Sequence, residues 1–159
     1  MQGHIKKSSS RSTNRKALKV RRVCLDTNII LDLLLDRQPY SNDIANLIEC
    51  ATEQTIELCV SSITITDVNF IVGKFEGTNA ANKKTKQILE LVTVENVGQT
   101  TVQKASKSGF KDFEDGVQNF CAEESKHKKI VTRNTKDFKK SSLSIMTPKE
   151  YVIRMDAKH

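Results

Sequence analysis

The hydrophobic pattern of the chain alternates between short apolar runs and longer segments with apolar residues at helical spacing. The short runs predict buried strands, and the longer segments predict amphipathic helices. The predicted strands cover residues 20–25, 57–60, 92–97, 128–132 and 144–146. The predicted helices cover 28–36, 41–51, a segment from Ser62 or Thr64 to 72, then 80–91, 100–108, 110–122 and a last helix from Pro148. Strands that alternate with helices indicate βαβ units, so the expected fold class is α/β with a mainly parallel sheet.

The stretch Arg22–Asp36 (RVCLDTNIILDLLLD) is the most informative part of this pattern. An apolar strand stops at Asp26, and a second apolar run begins after Asn28, which we expect to cap a helix. Ligands of open α/β sheets bind outside the carboxyl ends of the strands, where Asp26 is expected. A buried carboxylate at that edge is costly unless it meets a cation or hydrogen-bond donors.

Charge is concentrated at the start of the chain. The 159 residues carry a net charge of +7, but eight of the 26 basic residues lie in residues 1–22, which contain no acid, leaving 18 basic against 19 acidic residues. We therefore predict a disordered basic arm over 1–19 and a single near-neutral domain over 20–156. The arm is either a solvated tail or a contact for a polyanion. A purification tag is a further explanation for part of it.

Composition narrows the class of protein. No apolar run reaches the roughly 18 residues of a membrane span, and the N-terminus lacks the apolar region of a secretory signal. The four cysteines are widely spaced, without a CxxC or Cys/His motif, which is typical of reduced, buried cysteines in a cytoplasmic protein.

Acidic residues follow several of the predicted strands and open several helices. Carboxylates that converge at one sheet edge form an oxygen-ligand site suited to Mg²⁺ or Mn²⁺, which resolves their repulsion and can activate water at a phosphate. Taken singly, an aspartate before a helix is more often a cap or a favourable charge on the helix dipole. The candidates are Asp26, Asp67, Asp112, Glu114 and Asp115, with Asp32, Asn134 and Asp137 as outer possibilities.

Other kinds of active site find little support. The three histidines are His4, His127 and His159, no GxSxG elbow is present, and neither a P-loop nor a GxGxxG motif occurs. A phosphoryl-transfer enzyme of haloacid-dehalogenase type would use Asp26 as nucleophile, but it needs a second aspartate where this chain has Asn28.

Five segments together resemble the PIN domains, and within them the VapC-like toxin ribonucleases. They are VCLDTNIILDLL from Val23, SSITITD ending at Asp67, FKDFEDGVQ from Phe110, IVTRNTKDF from Ile130 and TPKEY from Thr147. The resemblance spans about residues 20–152. It implies a three-layer α/β/α sandwich with a mainly parallel central sheet, and a metal-dependent endoribonuclease.

The resemblance also implies roles for individual residues. Asp26, Asp67 and Asp115 match the catalytic metal ligands, and Thr27 and Asn28 match polar residues that support the first of them. Asp112 and Glu114 are further supporting acids. The chain departs from the family at Asn134, where many members have Asp, and Asp137 is a possible substitute. One tightly bound ion is therefore expected, with a second arriving only with substrate.

Basic residues surround this last segment, at Lys126, Lys128, Lys129, Arg133, Lys136, Lys139 and Lys140. Such residues supply phosphate contacts without sequence information, and we expect Arg133 and Lys136 to contact substrate. The alternative is that Lys126–Lys129 only complement a helix C-terminus.

The leading hypothesis is an endoribonuclease that cleaves single-stranded or loop RNA, as the toxin of a type II toxin–antitoxin pair. An RNA-processing nuclease is a near variant, and a catalytically inactive scaffold that binds RNA or protein is the alternative. The resemblance further implies a protein antitoxin, which commonly reaches into the acidic pocket, and a homodimer.

Overall fold

The computed structural model describes residues 20–54 and 56–158, so the predicted arm over 1–19 lies outside the described residues. Five strands form one sheet in the order β3-β2-β1-β4-β5, and every neighbouring pair is parallel. The strands are β1 (Arg21–Leu25), β2 (Ile56–Ser61), β3 (Val92–Glu95), β4 (Lys129–Val131) and β5 (Ser144–Met146).

Seven helices of the described chain cover both faces of this sheet. They are α1 (Thr27–Leu34), α2 (Tyr40–Glu53), α3 (Ser62–Glu76), α4 (Thr78–Leu89), α5 (Gln99–Lys107), α6 (Phe113–Glu124) and α7 (Pro148–Asp156), and a 3-10 turn spans Thr135–Phe138. The predicted α/β/α sandwich with a parallel sheet is confirmed.

The central strand shows why both faces are covered. Val23 and Leu25 pack into the main core with α1, α2, α3, α4 and α7, whereas Cys24 points into a second core with Ala122 of α6 and Ile130 of β4. A strand that is buried on both faces needs a continuous apolar run, because successive side chains point to opposite sides. Each fully buried Val or Leu side chain contributes roughly 1.5–3 kcal/mol.

Several helix starts differ from the predictions, by up to three residues: the helix predicted from residue 110 begins at Phe113. The predicted cap at Asn28 is wrong, because α1 begins at Thr27 with Asp26 as its N-cap residue, and the Asp26 side chain makes no capping hydrogen bond. The helix predicted from residue 41 begins one residue earlier, so that Ser41 lies inside α2 and does not cap it. The helices predicted to end at residue 72 and to begin at residue 80 are separated by Gly77 alone, whose φ of 88° lets α4 begin at once.

Strand order places a crevice between β1 and β4. The chain runs from β1 outwards to β2 and β3, and then returns to the other side of β1 to form β4. Ligands of open α/β sheets bind where the strand order reverses in this way, outside the carboxyl ends of the strands. Asp26 follows β1 and Thr132 follows β4, so these two residues lie at this switch point.

In the described residues, no helix combines the length and apolar character that a membrane crossing requires. All four cysteines are free and buried, as their spacing predicts.

Candidate active site

A cavity of about 390 Å³ opens at the carboxyl ends of β1 and β4. Six of its lining residues are acidic and none is basic. The lining residues are Asp26, Thr27, Asn28, Leu31, Asp67, Phe70, Ile71, Asp112, Glu114, Asp115 and Asp137. The fold thus brings together all three predicted metal ligands and five of the six predicted supporting residues; the sixth, Asn134, does not line the cavity.

Asp26 is the most buried of the six acids, with 3% of its surface exposed. Its Oδ2 accepts a hydrogen bond of 2.8 Å from Oγ1 of Thr132, and its backbone N–H donates to the carbonyl of Val131. Burial raises the pKa of Asp26, while the hydrogen bond from Thr132 and the backbone of Thr27 oppose this rise. The Asp26 side chain is therefore held by Thr132, directly after β4. A bound cation would offset the free-energy cost of burying its charge.

The hydroxyl of Thr27 connects α1 to two other helices. It lies 2.9 Å from the hydroxyl of Thr64 on α3, donates to Oε1 of Glu114 at 3.0 Å and accepts from Nε2 of Gln118 at 2.9 Å. Gln118 also donates to Glu114 at 3.1 Å. This network positions the Glu114 carboxylate through its Oε1 atom.

The start of α6 supplies three of the acids. Asp112 is the N-cap residue, and its Oδ1 accepts from the backbone N–H groups of Glu114 and Asp115 at 2.8 and 3.2 Å. The two interpretations of this acidic segment, helix cap and pocket lining, therefore both hold for Asp112.

The pKa values of Glu114 and Asp115 are both raised in this crowded site. Burial raises the pKa of Glu114, with a further rise from Asp67, whereas Thr27 opposes it by donating a hydrogen bond. Burial and then the charges of Asp26, Asp112 and Asp137 raise the pKa of Asp115 to about 7. Because like charges at this spacing resist ionisation, the pocket is poised to exchange a proton for a cation.

Asp67 reaches the pocket from α3. That helix is capped by Ser61, whose hydroxyl accepts from the backbone N–H of Thr64 at 3.2 Å. Ser61 and Thr64 are fully buried, so the first turn of α3 is anchored beneath the site. Asp67 follows one turn later and lines the cavity.

Several predicted residues lie away from this cavity. The backbone N–H of Asn134 donates to Thr132, and Lys136 lines a neighbouring hollow together with Asp112, Asp115 and Asp137. Asp32 points to the opposite side of α1, where it is fully buried, and Nε of Arg133 lies 3.0 Å from its Oδ2. Arg133 is thus held beside the pocket by Asp32, a pairing that the sequence spacing did not indicate.

Two residues of the site were not singled out from the sequence. Gln118 and Thr132 are buried and make the hydrogen bonds that hold Glu114 and Asp26. The available signals were the position of Gln118 one helical turn after Glu114, and that of Thr132 directly after an apolar strand.

A second cluster of possible ligands lies on the α6 side of the sheet. Cys59, Glu95 and His127 bring one ligand atom each within 4.8 Å of the others. Arg22, however, forms ion pairs with Glu95 and, at 3.1 Å, with Glu57, and Nε2 of His127 lies 2.9 Å from Glu95. Although burial opposes it, the hydrogen bond from His127 and the charge of Arg22 lower the pKa of Glu95. The guanidinium already supplies the positive charge that a metal would bring, so we assign this cluster to an ion-pair network.

The acidic cavity suits a hard divalent cation by the type of its donors, although among the described residues only the Cys59 cluster brings three ligand atoms within 4.8 Å of one another. The ligand atoms of the acidic cavity are carboxylate oxygens, which suit Mg²⁺ or Mn²⁺, and no histidine or cysteine lines it. No lysine or arginine among the lining residues offers an internal counter-charge.

Comparison with known proteins agrees with this architecture. A family model described as "PIN domain" matches residues 22–136. The chain is similar to Ribonuclease VapC1 of Aquifex aeolicus, with 25% identity over 138 residues that cover 84% of this chain and 94% of the relative.

Two solved structures share the fold. One is the DNA-bound VapBC complex from Salmonella typhimurium, with a TM-score of 0.65 and 15% identity over 81% of this chain and 99% of the other. The other is VapBC2 from Rickettsia felis bound to a promoter DNA fragment, with a TM-score of 0.62 and 17% identity over 79% and 96%.

Proposed function

The chain belongs to the PIN domain family, and from this premise we propose that it is a metal-dependent endoribonuclease that cleaves single-stranded or loop RNA. The observation that carries the proposal is the convergence of six carboxylates, without a basic residue, in the cavity at the β1/β4 switch point. The similarity to a relative named as a ribonuclease supports the same reaction class.

Asp26, Asp67 and Asp115 are the proposed holders of Mg²⁺ or Mn²⁺, with Glu114 as a further ligand or a hydrogen-bond partner of bound water. When bound, such an ion polarises a phosphate and lowers the pKa of a coordinated water. Asp137 takes the place of the acid that is missing at Asn134, since it is Asp137 that lines the cavity.

The protein's own groups orient the site and manage its protons. The hydroxyl of Thr132 keeps Oδ2 of Asp26 in place, and Gln118 and Thr27 do the same for Glu114. Asp115, with a pKa of about 7, holds a proton on its carboxyl for part of the time at neutral pH and releases it when a cation binds.

A protein antitoxin is the partner we propose, because VapBC complexes are among the structures that share this fold. A basic side chain of the antitoxin would neutralise the acidic cavity and block it. We further propose a cytoplasmic homodimer. Phe75, 71% exposed on α3, is a candidate contact for a second copy, and Phe75→Ser would then give a monomer by light scattering.

The test is cleavage of a mixed single-stranded RNA pool in Mg²⁺ or Mn²⁺, with EDTA as the blank. Asp26→Asn should abolish cutting, because it removes the central carboxylate and leaves the shape unchanged. Asp156→Asn is the matched control: it makes the same chemical change at an exposed position at the end of α7 and should cut normally. Cutting that survives Asp26→Asn or EDTA would contradict the proposed site.

A second candidate, a catalytically inactive scaffold, is favoured only by Asn134 in place of an acid. Calorimetry separates the two functions: a nuclease site binds Mg²⁺ or Mn²⁺ in the millimolar range or tighter and loses this binding in Asp26→Asn, whereas a scaffold shows no binding.

A further inference from the structure

A second cavity, of about 210 Å³, lies on the other side of α1 from the acidic pocket. Its apolar wall includes Ile29, Tyr40 and Pro148, and its polar groups include Arg133 and Lys149. A mainly apolar recess with a few polar groups at its rim is typical of a site for a flat organic group.

Arg133 and Tyr40 form a stacked pair at this cavity. The guanidinium carbon of Arg133 lies 4.3 Å from the centre of the Tyr40 ring, while Nε contacts the buried Asp32. Tyr40 keeps 40% of its surface exposed. Within residues 20–54 and 56–158, no acceptor takes a hydrogen bond from the two terminal nitrogens of Arg133. The exposed part of the Tyr40 ring and the four N–H groups on the terminal nitrogens of Arg133 are therefore open to a ligand, although the guanidinium already pairs with a buried carboxylate.

The two cavities are linked through one short segment. Thr132, which holds Asp26, directly precedes Arg133, and consecutive Cα atoms lie about 3.8 Å apart. Arg133 is therefore only one residue away from the group that holds Asp26.

We propose that this second cavity is a nucleotide subsite for the RNA substrate: a base next to the cleaved bond stacks on Tyr40, and the terminal nitrogens of Arg133 bind a flanking phosphate. This subsite rests on the proposed nuclease function. Stacking on aromatic rings and arginine planes is the usual way in which proteins hold unpaired bases. Asp43 on the cavity wall suits the amino edge of a base and disfavours a second phosphate there.

Asp32 is a positioning residue in this scheme. It is fully buried, lies 3.0 Å from Nε of Arg133 and 3.6 Å from a terminal nitrogen of Arg37, and so anchors the guanidinium without reaching the RNA. Because its removal also disturbs the fold, the test is built on Tyr40.

Tyrosine is rare enough in this chain to serve as a probe. The chain contains only Tyr40 and Tyr151, and Tyr151 is buried in the main core. Incorporation of 3-fluorotyrosine into Asp26→Asn protein gives two ¹⁹F resonances, and Tyr40→Phe assigns them. Single-stranded oligoribonucleotide should shift the Tyr40 resonance and leave that of Tyr151 unmoved. An abasic oligomer of equal length, which keeps the phosphate contact of Arg133 but has no bases, should shift the Tyr40 resonance less and leave that of Tyr151 unmoved.

Binding measured by anisotropy completes the test. Tyr40→Leu should weaken oligoribonucleotide binding at least about fivefold, the lower end for loss of one stacked base, whereas Tyr40→Phe keeps the ring and should stay within about twofold. The abasic oligomer should bind both variants equally.

The outcomes separate the two proposals. A Tyr40 resonance that does not move although RNA is bound, as it would if the cavity serves a protein partner, overturns the subsite and leaves the nuclease standing. Equal shifts with the abasic oligomer overturn base stacking. Absence of both RNA binding and cleavage overturns the nuclease and the subsite with it.

Discussion

Replacing Asp115 by Asn should stabilise the metal-free protein at alkaline pH even though it damages the site. The folded protein holds the Asp115 pKa at about 7, whereas an unfolded aspartate titrates near ~3.9. Between these values the folded state retains a proton that the unfolded state has lost. The free energy of unfolding therefore falls as pH rises from about 4 to 7, and the full penalty remains above pH 7.

The size of this penalty follows from the difference between the two pKa values. About three pH units at ~1.36 kcal/mol each give an upper bound of ~4 kcal/mol. Asp115 is only half-buried, so solvent screening reduces this to roughly 1–2 kcal/mol. Loss of a favourable charge in the first turn of α6 offsets a further ~0.3–1 kcal/mol. We expect Asp115→Asn to gain about 1 kcal/mol at pH 8, and this gain should vanish near pH 4.

The assay is urea unfolding in EDTA at several pH values, with Asp156→Asn as an exposed control that should show no pH-dependent difference from wild type. Addition of Mg²⁺ should reverse the order, because a ligand at ten times its Kd stabilises the wild type by ~1.4 kcal/mol. If Asp115→Asn is no more stable than wild type at pH 8 in EDTA, the pocket is not under electrostatic strain and the reasoning fails.

Three further changes test other parts of the structure. Thr132→Val removes the hydrogen bond to the buried Asp26 carboxylate and should lower the free energy of unfolding by ~1.5–3 kcal/mol in urea titrations. A loss of less than about 0.5 kcal/mol would argue against that bond. Gly77→Ala places a side chain at φ 88° and should lower the free energy of unfolding by ~1–3 kcal/mol, measured as a lower Tm. An unchanged Tm would contradict the positive φ at the junction between α3 and α4. Arg133→Ala leaves Asp32 with only the longer contact to Arg37 and should lower the free energy of unfolding by about 3 kcal/mol at pH 7 and by less at pH 4. A loss of stability that does not depend on pH would contradict the ion pair.

Much of the fold follows from local pattern. The apolar runs of β1 and β2 are continuous because both faces are covered, and this signal lies within each segment. Pro148 likewise marks the first turn of α7, where its missing N–H is harmless. Where a helix begins is less local: α1 starts one residue before the predicted Asn28, and the Asp26 side chain is turned to Thr132 and the pocket instead of capping the helix.

The acidic residues that line the cavity could be predicted, and so could Thr27, but the supporting residues Gln118 and Thr132 could not. An acidic residue beside an apolar run stands out in the sequence, because charged side chains are rarely buried. A threonine or glutamine in such a position looks like any other polar residue. Thr132 lies 106 residues from Asp26 along the chain, so only the register of β4 beside β1 reveals their contact. The pairing of Arg133 with Asp32 has the same origin, which is why Arg133 was expected only as a free substrate contact.

The late insertion of β4 beside β1 has a consequence during protein synthesis. The hydrogen bond between Thr132 and Asp26 spans 106 residues, which a ribosome adds in about 5 to 20 s at about 5–20 residues per second. Until that segment emerges, β1 has β2 as a neighbour on one side but lacks β4 on the other, and Asp26 lacks the hydroxyl that fixes its carboxylate. Under the proposed function, a translation product that ends before β4 lacks this contact and should be inactive, so the proposed antitoxin, if made nearby, would have those seconds to accumulate.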